Sequence, residues 1–386
     1  MFVIFPLNIL SLQTKEENNN GAKTEKPGSV PIDDPNAPDY WRTGLDDIEK
    51  AIAGVKKGKV EIVCLSAGGR PVYQIFYGEP NDVKNQANVS SAMAVATRVL
   101  PAGTTNNLVY YADKSSKDYR PTLYLVGAIH ATEVEGTAAL MNLISILETG
   151  KDLRGVEFPL ITQSAEKMNF IINLCANPDG RARFPYHSVV GLHPDISNYY
   201  TMGTWKGGEL SSYPLNKSVH PMLPALKEGD FLGCYYNDDG INLMHDFFFT
   251  NPSNETKALL QTAEKHAPDF TVLFHSGGNN IFHTAGSGYL VIPAKTKIRS
   301  FVSALRARYQ TKGFEFGSSN GTDGINDSDT GFFNLTSALT HVTGEPCITF
   351  ESNSSSDAPG TRYTHEQIYN QHMMLFEELC KFVLKY

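Results

Sequence analysis

The sequence predicts an α/β fold in which a β-sheet carries helices on both faces. Apolar, β-branched runs of strand length alternate along the chain with segments typical of helices. Three of the strand candidates end on side chains able to do chemistry, namely His130, His275 and Glu351. Because ligands bind beyond the strand ends of such sheets, these three residues mark the region where a functional site is expected.

The individual elements follow from local patterns and turn residues. Helices are predicted over residues 44–57, 136–147, 252–266, 296–311, 331–341 and 363–384. Strands are predicted over residues 59–65, 72–77, 122–127, 168–175, 269–274, 289–293 and 346–351. Residues 79–117 are predicted to form a surface insertion, and residues 181–250 to hold functional loops.

Composition excludes several classes of protein. With 386 residues, 41% of them hydrophobic, the chain can bury a sizeable core. A formal net charge of −8 without any basic tract argues against nucleic acid as a partner. The five cysteines are scattered and form no C-x-x-C pair, which excludes a cysteine-rich zinc module or a dense disulfide framework.

Residues 1–38 are predicted to be an apolar start followed by a polar, proline-rich linker. The apolar start lacks the positive flank and the cleavage site of an export signal, so it is either a remnant of one or a local hydrophobic segment. A linker behind such a start favours a secreted or periplasmic protein over a cytoplasmic one. No other apolar run reaches the length of a transmembrane helix, so none is predicted.

His130 and Glu133 lie three residues apart where a strand candidate gives way to a helix candidate. Imidazole and carboxylate groups both suit zinc, although such a pair alone is often solvated. His275 completes a His₂Glu set, which is the protein ligand set of open catalytic zinc sites. Glu135 competes with Glu133 as a ligand, and we interpret it as a neighbour of the ligands or a solvated residue.

Glu351 is the candidate general base. Three protein ligands leave the fourth position of tetrahedral zinc to water, whose pKa falls toward about 7. A carboxylate at a neighbouring strand end can take the proton of that water and later deliver it to a leaving amine. Taken alone, Glu351 or His275 is more simply interpreted as a structural residue, whereas the joint pattern favours a metal site.

Five short motifs follow one another along the chain: His130-x-x-Glu133, Asn177-Pro-Asp-Gly180, a degenerate Asn242-Leu-Met-His-Asp246, Phe274-His275-Ser276 and Thr349-Phe-Glu351. In this order they resemble the zinc carboxypeptidases, the carboxypeptidase A-like metallopeptidases. The resemblance implies a single catalytic domain over residues 39–386, with three α/β/α layers around a mixed, mostly parallel sheet. It also implies one Zn²⁺ ion held by His130, Glu133 and His275, with Glu351 as the base.

The chain departs from the family where the substrate would be recognised. The family holds a C-terminal carboxylate with an Asn-Arg pair, at which this sequence has Met244 and His245. A histidine lacks the planar, bidentate fork of arginine and binds a carboxylate only when protonated or through a single donor. Arg181 and Arg183 are the candidates for stabilising the oxyanion, with a solvated turn as the alternative. Residues 310–362 contain no tyrosine to match the family's tyrosine.

The sequence therefore predicts zinc-dependent hydrolysis of a peptide amide bond with altered C-terminal recognition. Such an enzyme should cleave simple blocked dipeptide carboxypeptidase substrates weakly. A zinc deacylase or amidase acting on a small amide or a cell-wall peptide is the alternative enzyme. A non-catalytic zinc-binding protein on the same scaffold is the third hypothesis.

Three carboxylates in residues 323–329 could favour an amine-bearing substrate, although a solvated acidic loop is the simpler interpretation. The oligomeric state is left open.

Overall fold

The structure is a computed structural model, and it describes residues 37–82, 114, 116–212, 215–277, 281–284, 290, 292–314, 333–354 and 363–385. Nearly all of the predicted N-terminal linker lies outside these residues, as does most of the predicted insertion at residues 79–117. The acidic loop at residues 323–329 also lies outside them. Within the described ranges, every helix is too short or too polar to span a membrane.

Helices and strands alternate along most of the described chain. The helices are α1 (Leu45–Gly54), α2 (Glu135–Thr149), α3 (Pro159–Ala165), α4 (Pro178–Arg183), α5 (Pro194–Met202), α6 (Leu215–Ser218), α7 (Asn254–His266), α8 (Ile292–Gln310), α9 (Leu335–Thr343) and α10 (His365–Lys385). The strands are β1 (Lys59–Leu65), β2 (Pro71–Tyr77), β3 (Thr122–Val126), β4 (Asn169–Asn173), β5 (Thr204–Trp205), β6 (Glu209–Leu210), β7 (Phe270–Ser276), β8 (Ile281–Thr284) and β9 (Cys347–Ser352).

Among the described residues, seven strands form the central sheet, in the order β1-β2-β4-β3-β7-β9-β8. The four strands in the middle, β4, β3, β7 and β9, run parallel to one another. β1, β2 and β8 join at the two edges as antiparallel strands. β4 pairs with one side of β3 and β7 with the other, so strand order switches at β3. Ligand sites of open α/β sheets lie at such a switch point.

Helices cover both faces of the sheet. The central strands are therefore buried on both sides. All five residues of β3 are buried. Leu123 and Leu125 pack into one core, together with α1, α2, α3, α8 and α10. Tyr124 and Val126 point to the other face and pack with α7 and α9. This alternation places helices in a layer on each side of the sheet. The predicted α/β/α fold with a mixed sheet is therefore confirmed.

Most predicted elements are present, with ends that differ by a few residues. Ser253 caps α7 as predicted, because its hydroxyl accepts the amide of Thr256 at 3.3 Å. The strand predicted over residues 289–293 is wrong at its described end, since α8 begins at Ile292. A proline is well tolerated in the first turn of a helix, so Pro293 fits that position. α3, α4, β8 and the short elements within residues 181–250 were not predicted.

Candidate active site

The candidate site lies at the carboxyl ends of β3, β7 and β9. After β3 the chain turns through Ala128, whose positive φ of 45° is uncommon for a residue with a side chain. Main-chain hydrogen bonds hold this turn against the end of β4. The Gly127 carbonyl accepts the Ala176 amide at 3.0 Å, and the Ala128 carbonyl accepts the Asn177 amide at 3.0 Å. His130 therefore extends from a loop that is fixed on the sheet.

Three side chains meet at this edge, namely His130, Glu133 and His275, and their possible ligand atoms all lie within 4.8 Å of one another. His275 Nδ1 is 2.7 Å from Glu133 Oε2 and 3.2 Å from His130 Nδ1. His130 Nδ1 is 3.1 Å from Glu133 Oε1. Two imidazole nitrogens and a carboxylate oxygen form a donor set that fits a tetrahedral zinc ion with one open position.

The charges of the three side chains influence one another. Burial alone would raise the pKa of Glu133, but the imidazoles of His130 and His275 outweigh it and hold that pKa well below its usual range. Burial lowers the pKa of His275 despite the opposing charge of Glu133. An ionised carboxylate beside a neutral imidazole is the protonation state in which both groups can bind a metal ion.

Glu135, the competing ligand, is not part of this cluster. It begins α2 two residues after Glu133, and none of its surface is exposed. Burial raises the pKa of Glu135 to about 8, against a smaller opposing effect of the Ser276 side chain. The carboxyl group is therefore mostly protonated at neutral pH, and the interpretation of Glu135 as a solvated residue does not hold.

Glu351 is placed beside the cluster by strand register. β7 and β9 are parallel neighbours, and Glu351 is the partner of His275 in that ladder. Burial and the negative charge of Glu133 raise the pKa of Glu351, whereas the ammonium group of Lys217 lowers it. The charge of Glu133 therefore acts against ionisation of the Glu351 carboxyl.

Tyr235 and Asn242 also contact the cluster, and sequence reasoning gave neither of them a role. The Tyr235 hydroxyl donates to Glu133 Oε1 at 2.5 Å, and its ring stacks on His130 with centroids 3.7 Å apart. Asn242 Oδ1 lies 3.1 Å from His130 Nε2. The same oxygen accepts the amide of Met244 at 3.1 Å, which fixes the side-chain amide with its oxygen toward the imidazole.

The two candidate arginines make contacts away from the three candidate ligands. Arg181 is buried and donates to the carbonyls of Thr43 at 2.8 Å, Phe184 at 2.6 Å and Tyr186 at 2.9 Å. Arg183 forms a close ion pair with Asp238. A role for Arg181 or Arg183 at the oxyanion stays a prediction.

His245 and Lys217 set the charge near the site. Burial, followed by the charges of Lys217 and His130, lowers the pKa of His245 to about 4. His245 is therefore neutral at pH 7 and offers no positive charge to a carboxylate. Lys217, on the short helix α6, exerts its charge on His245, His275 and Glu351. No pattern in the sequence around Lys217 pointed to this position.

Part of the chain matches a model of a known family. The family model described as zinc carboxypeptidase matches residues 60–207. This segment includes His130 and Glu133, whereas His275 and Glu351 lie beyond it. No curated protein sequence gives a significant match.

Solved structures share the fold of the chain. A metallo-carboxypeptidase from Burkholderia cenocepacia is 13% identical with a TM-score of 0.53, covering 88% of this chain and 69% of that chain. A metallo-carboxypeptidase from Pseudomonas aeruginosa is 14% identical with a TM-score of 0.50, covering 88% and 67%. Carboxypeptidase A from Helicoverpa armigera is 12% identical with a TM-score of 0.50, covering 90% and 74%. The resemblance predicted from the five motifs is therefore confirmed: residues 60–207 match the zinc carboxypeptidase model, and the chain shares the fold of these metallo-carboxypeptidases.

Proposed function

We propose that the chain is a zinc-dependent hydrolase that cleaves an amide bond in peptides. The observation that carries this proposal is the convergence of His130, Glu133 and His275 within 4.8 Å, with Glu351 beside His275 on the next strand. One metal ion bound there would supply Lewis acidity and an activated water. His130, Glu133 and His275 would hold it, each through one atom.

Glu351 acts as general base and then as general acid in this proposal. Its carboxylate accepts a proton from the attacking water and later donates that proton to the leaving nitrogen. Burial raises the pKa of Glu351, which makes the carboxylate a stronger base than a solvated one. The half-buried position beside His275 keeps the group next to the ligands without closing it off from substrate.

Substrate recognition differs from the arginine fork that the family uses. The low pKa of His245 leaves a neutral imidazole, which can offer a substrate one hydrogen bond but no charge. Arg181 donates to three main-chain carbonyls, and Arg183 donates to Asp238 and to the carbonyl of Tyr236. Efficient cleavage of peptides that lack a free C-terminal carboxylate would therefore agree with the proposal, and His245 would contact the substrate as a single donor.

The test compares the unmodified protein with Glu351→Gln and His275→Ala. Zinc content is measured by elemental analysis, and cleavage is followed by mass spectrometry on a peptide library that contains free and amidated C-termini. We expect Glu351→Gln to keep one zinc ion per chain and lose cleavage by about 10²- to 10⁴-fold, the usual contribution of general acid-base catalysis. His275→Ala should lose both zinc and cleavage.

Two exposed positions serve as controls. Glu157→Gln and His193→Ala change side chains that are 67% and 64% exposed, and both variants should behave like the unmodified protein. A chain that binds zinc but cleaves no peptide would contradict the peptidase proposal. Release of an acyl group from small amides would then favour the deacylase, and the absence of any hydrolysis would favour a binding protein.

A further inference from the structure

Tyr235 makes two contacts with the candidate ligands through different parts of its side chain. The hydroxyl donates to Glu133 Oε1 at 2.5 Å. The ring lies against the imidazole of His130, with centroids 3.7 Å apart and planes inclined by 10°. A single side chain therefore restrains the carboxylate of one candidate ligand and the ring plane of another.

The segment that carries Tyr235 is itself bonded to the loop between these ligands. The Cys234 carbonyl accepts the amide of Ala131 at 3.2 Å, and the Tyr235 amide donates to the Thr201 carbonyl at 3.1 Å. The Thr201 hydroxyl also lies 3.1 Å from the hydroxyl of Thr132. These hydrogen bonds connect Ala131 to Cys234 and Thr132 to Thr201. Tyr235 therefore approaches the site from a backbone whose position is fixed.

Asn242 restrains His130 from the other ring nitrogen. Its Oδ1 atom is 3.1 Å from His130 Nε2, and that geometry favours the tautomer with its proton on Nε2. The lone pair of Nδ1 then points toward Glu133 and His275. Asn242 fixes which nitrogen is free, but a hydrogen bond alone leaves the imidazole able to rotate about it. The stacked ring of Tyr235 removes that freedom.

We propose that Tyr235 is a positioning residue that sets the geometry of Glu133 and His130 for metal binding. Because the hydroxyl bonds to one carboxylate oxygen, the other oxygen of Glu133 would be left to hold an ion, and the ring would keep the imidazole of His130 in its present orientation. Partners of this kind are commonly worth 10- to 100-fold in metal affinity. The inference rests on the proposed metal centre, and its test uses metal binding rather than turnover.

The test measures zinc affinity of the full-length chain, freed of metal, by competition with a chromophoric chelator. Tyr235→Phe removes the hydroxyl and keeps the ring, whereas Tyr235→Leu removes both. We expect Tyr235→Phe to weaken zinc binding by about 10-fold and Tyr235→Leu to weaken it further, because it also loses the stacked ring. The visible spectrum of the cobalt(II) form should also change in Tyr235→Phe, since Glu133 can then bind through both oxygens.

Tyr200→Phe is the matched control. Tyr200 lies next to the segment that carries Tyr235, because its carbonyl accepts the amide of Cys234 at 2.7 Å. Its ring packs on Phe231 and Tyr186. It should leave zinc affinity and the cobalt spectrum unchanged. Zinc affinity of Tyr235→Phe within twofold of the unmodified chain, with an unchanged cobalt spectrum, would overturn the role of Tyr235 while leaving the metal centre in place. Absence of zinc binding by the unmodified chain and by Tyr200→Phe would instead overturn the proposed function itself.

Discussion

The resemblance to the zinc carboxypeptidases implies that His245 stands where the family has an arginine. An arginine at this position would carry a permanent charge and a planar pair of donors. The histidine is half-buried, and this burial, followed by the charges of Lys217 and His130, brings its pKa to about 4. Compared with an arginine, His245 therefore lacks both the positive charge at neutral pH and the planar pair of donors.

We expect His245→Arg to shift preference toward peptides with a free C-terminal carboxylate. A charge-assisted hydrogen bond contributes about 1.5–3 kcal/mol, so the ratio of kcat/KM for a free peptide over its amide should rise by at least about 10-fold. The measurement uses pairs of peptides that differ only at the C-terminus. His245→Gln keeps a neutral polar side chain and should leave the ratio unchanged. An unmodified protein that already prefers the free acid as strongly as His245→Arg would contradict this expectation.

The sequence indicates some of the site residues and not others, for a physical reason. His130 and His275 lie at or next to the ends of regular, apolar strands, so local pattern and spacing mark them before folding is known. Tyr235 and Asn242 belong to irregular segments and Lys217 to a helix of four residues, and neither gives enough periodicity to show which way a side chain points. The contacts of Tyr235 and Asn242 with the candidate ligands, and the charge effect of Lys217, arise only in the folded chain.

At the scale of elements, the position of α2 on the sheet depends on a glycine. Gly136 lies in the first turn of α2, directly against β7. A Cβ atom added there would lie 2.2 Å from Cβ of Phe274, much closer than two carbon atoms can approach. Because Cβ of Phe274 cannot move without the strand, any side chain at position 136 must displace either α2 or β7. His275 is the next residue of β7.

We expect Gly136→Ala to lower the free energy of unfolding by about 1–3 kcal/mol, the usual cost of overpacking a core. Zinc affinity should fall as well, because the strand that carries His275 is displaced. Chemical denaturation and chelator competition measure the two effects. Gly54→Ala is the control, since an added Cβ at this position in α1 meets nothing within 4 Å. That variant should be neutral or gain up to about 1 kcal/mol. Equal stability of the two variants would contradict the tight packing of α2.

The elements were predictable to different degrees. The central strands are buried on both faces, so their sequences are continuous apolar runs that stand out from their surroundings. The apolar run that ends at residue 293 has the same appearance, yet α8 begins within it at Ile292. A short apolar run fits both strand and helix, and only the longer context separates them. β8 was missed because its four residues give too little pattern to detect.

At the scale of the whole molecule, one buried acid couples stability to pH. Glu135 has no exposed surface in the core below the site, and burial raises its pKa from 4.5 to about 8. Below about pH 4.5 the carboxyl is protonated in both the folded and the unfolded protein. Between the two pKa values the unfolded chain loses this proton and the folded chain keeps it. The stability that the neutral carboxyl contributes is therefore lost progressively as pH rises through this window.

We expect Glu135→Gln to stabilise the metal-free protein increasingly as the pH rises from about 4.5 to about 8. The difference in unfolding free energy should grow by at most about 1.4 kcal/mol per pH unit, because glutamine has no proton to lose. Urea denaturation of both proteins at several pH values, with a chelator present, measures it. Glu157→Gln, at an exposed position, should run parallel to the unmodified protein. A constant difference between Glu135→Gln and the unmodified protein across this range would contradict the assignment.

The pairing of β7 with β9 fixes the distance between the main chains of His275 and Glu351. The surrounding side chains do not determine this distance. His275 and Glu351 are opposite one another in adjacent strands, and such strands are spaced by about 4.8 Å through their backbone hydrogen bonds. Mutations in the loops can reshape what enters the site without changing the separation between a metal ligand and the proposed base. A slip of one residue between the strands would turn one of the two side chains to the opposite face of the sheet. The spacing that the proposed hydrolysis requires is thus set by the main-chain geometry of the two strands.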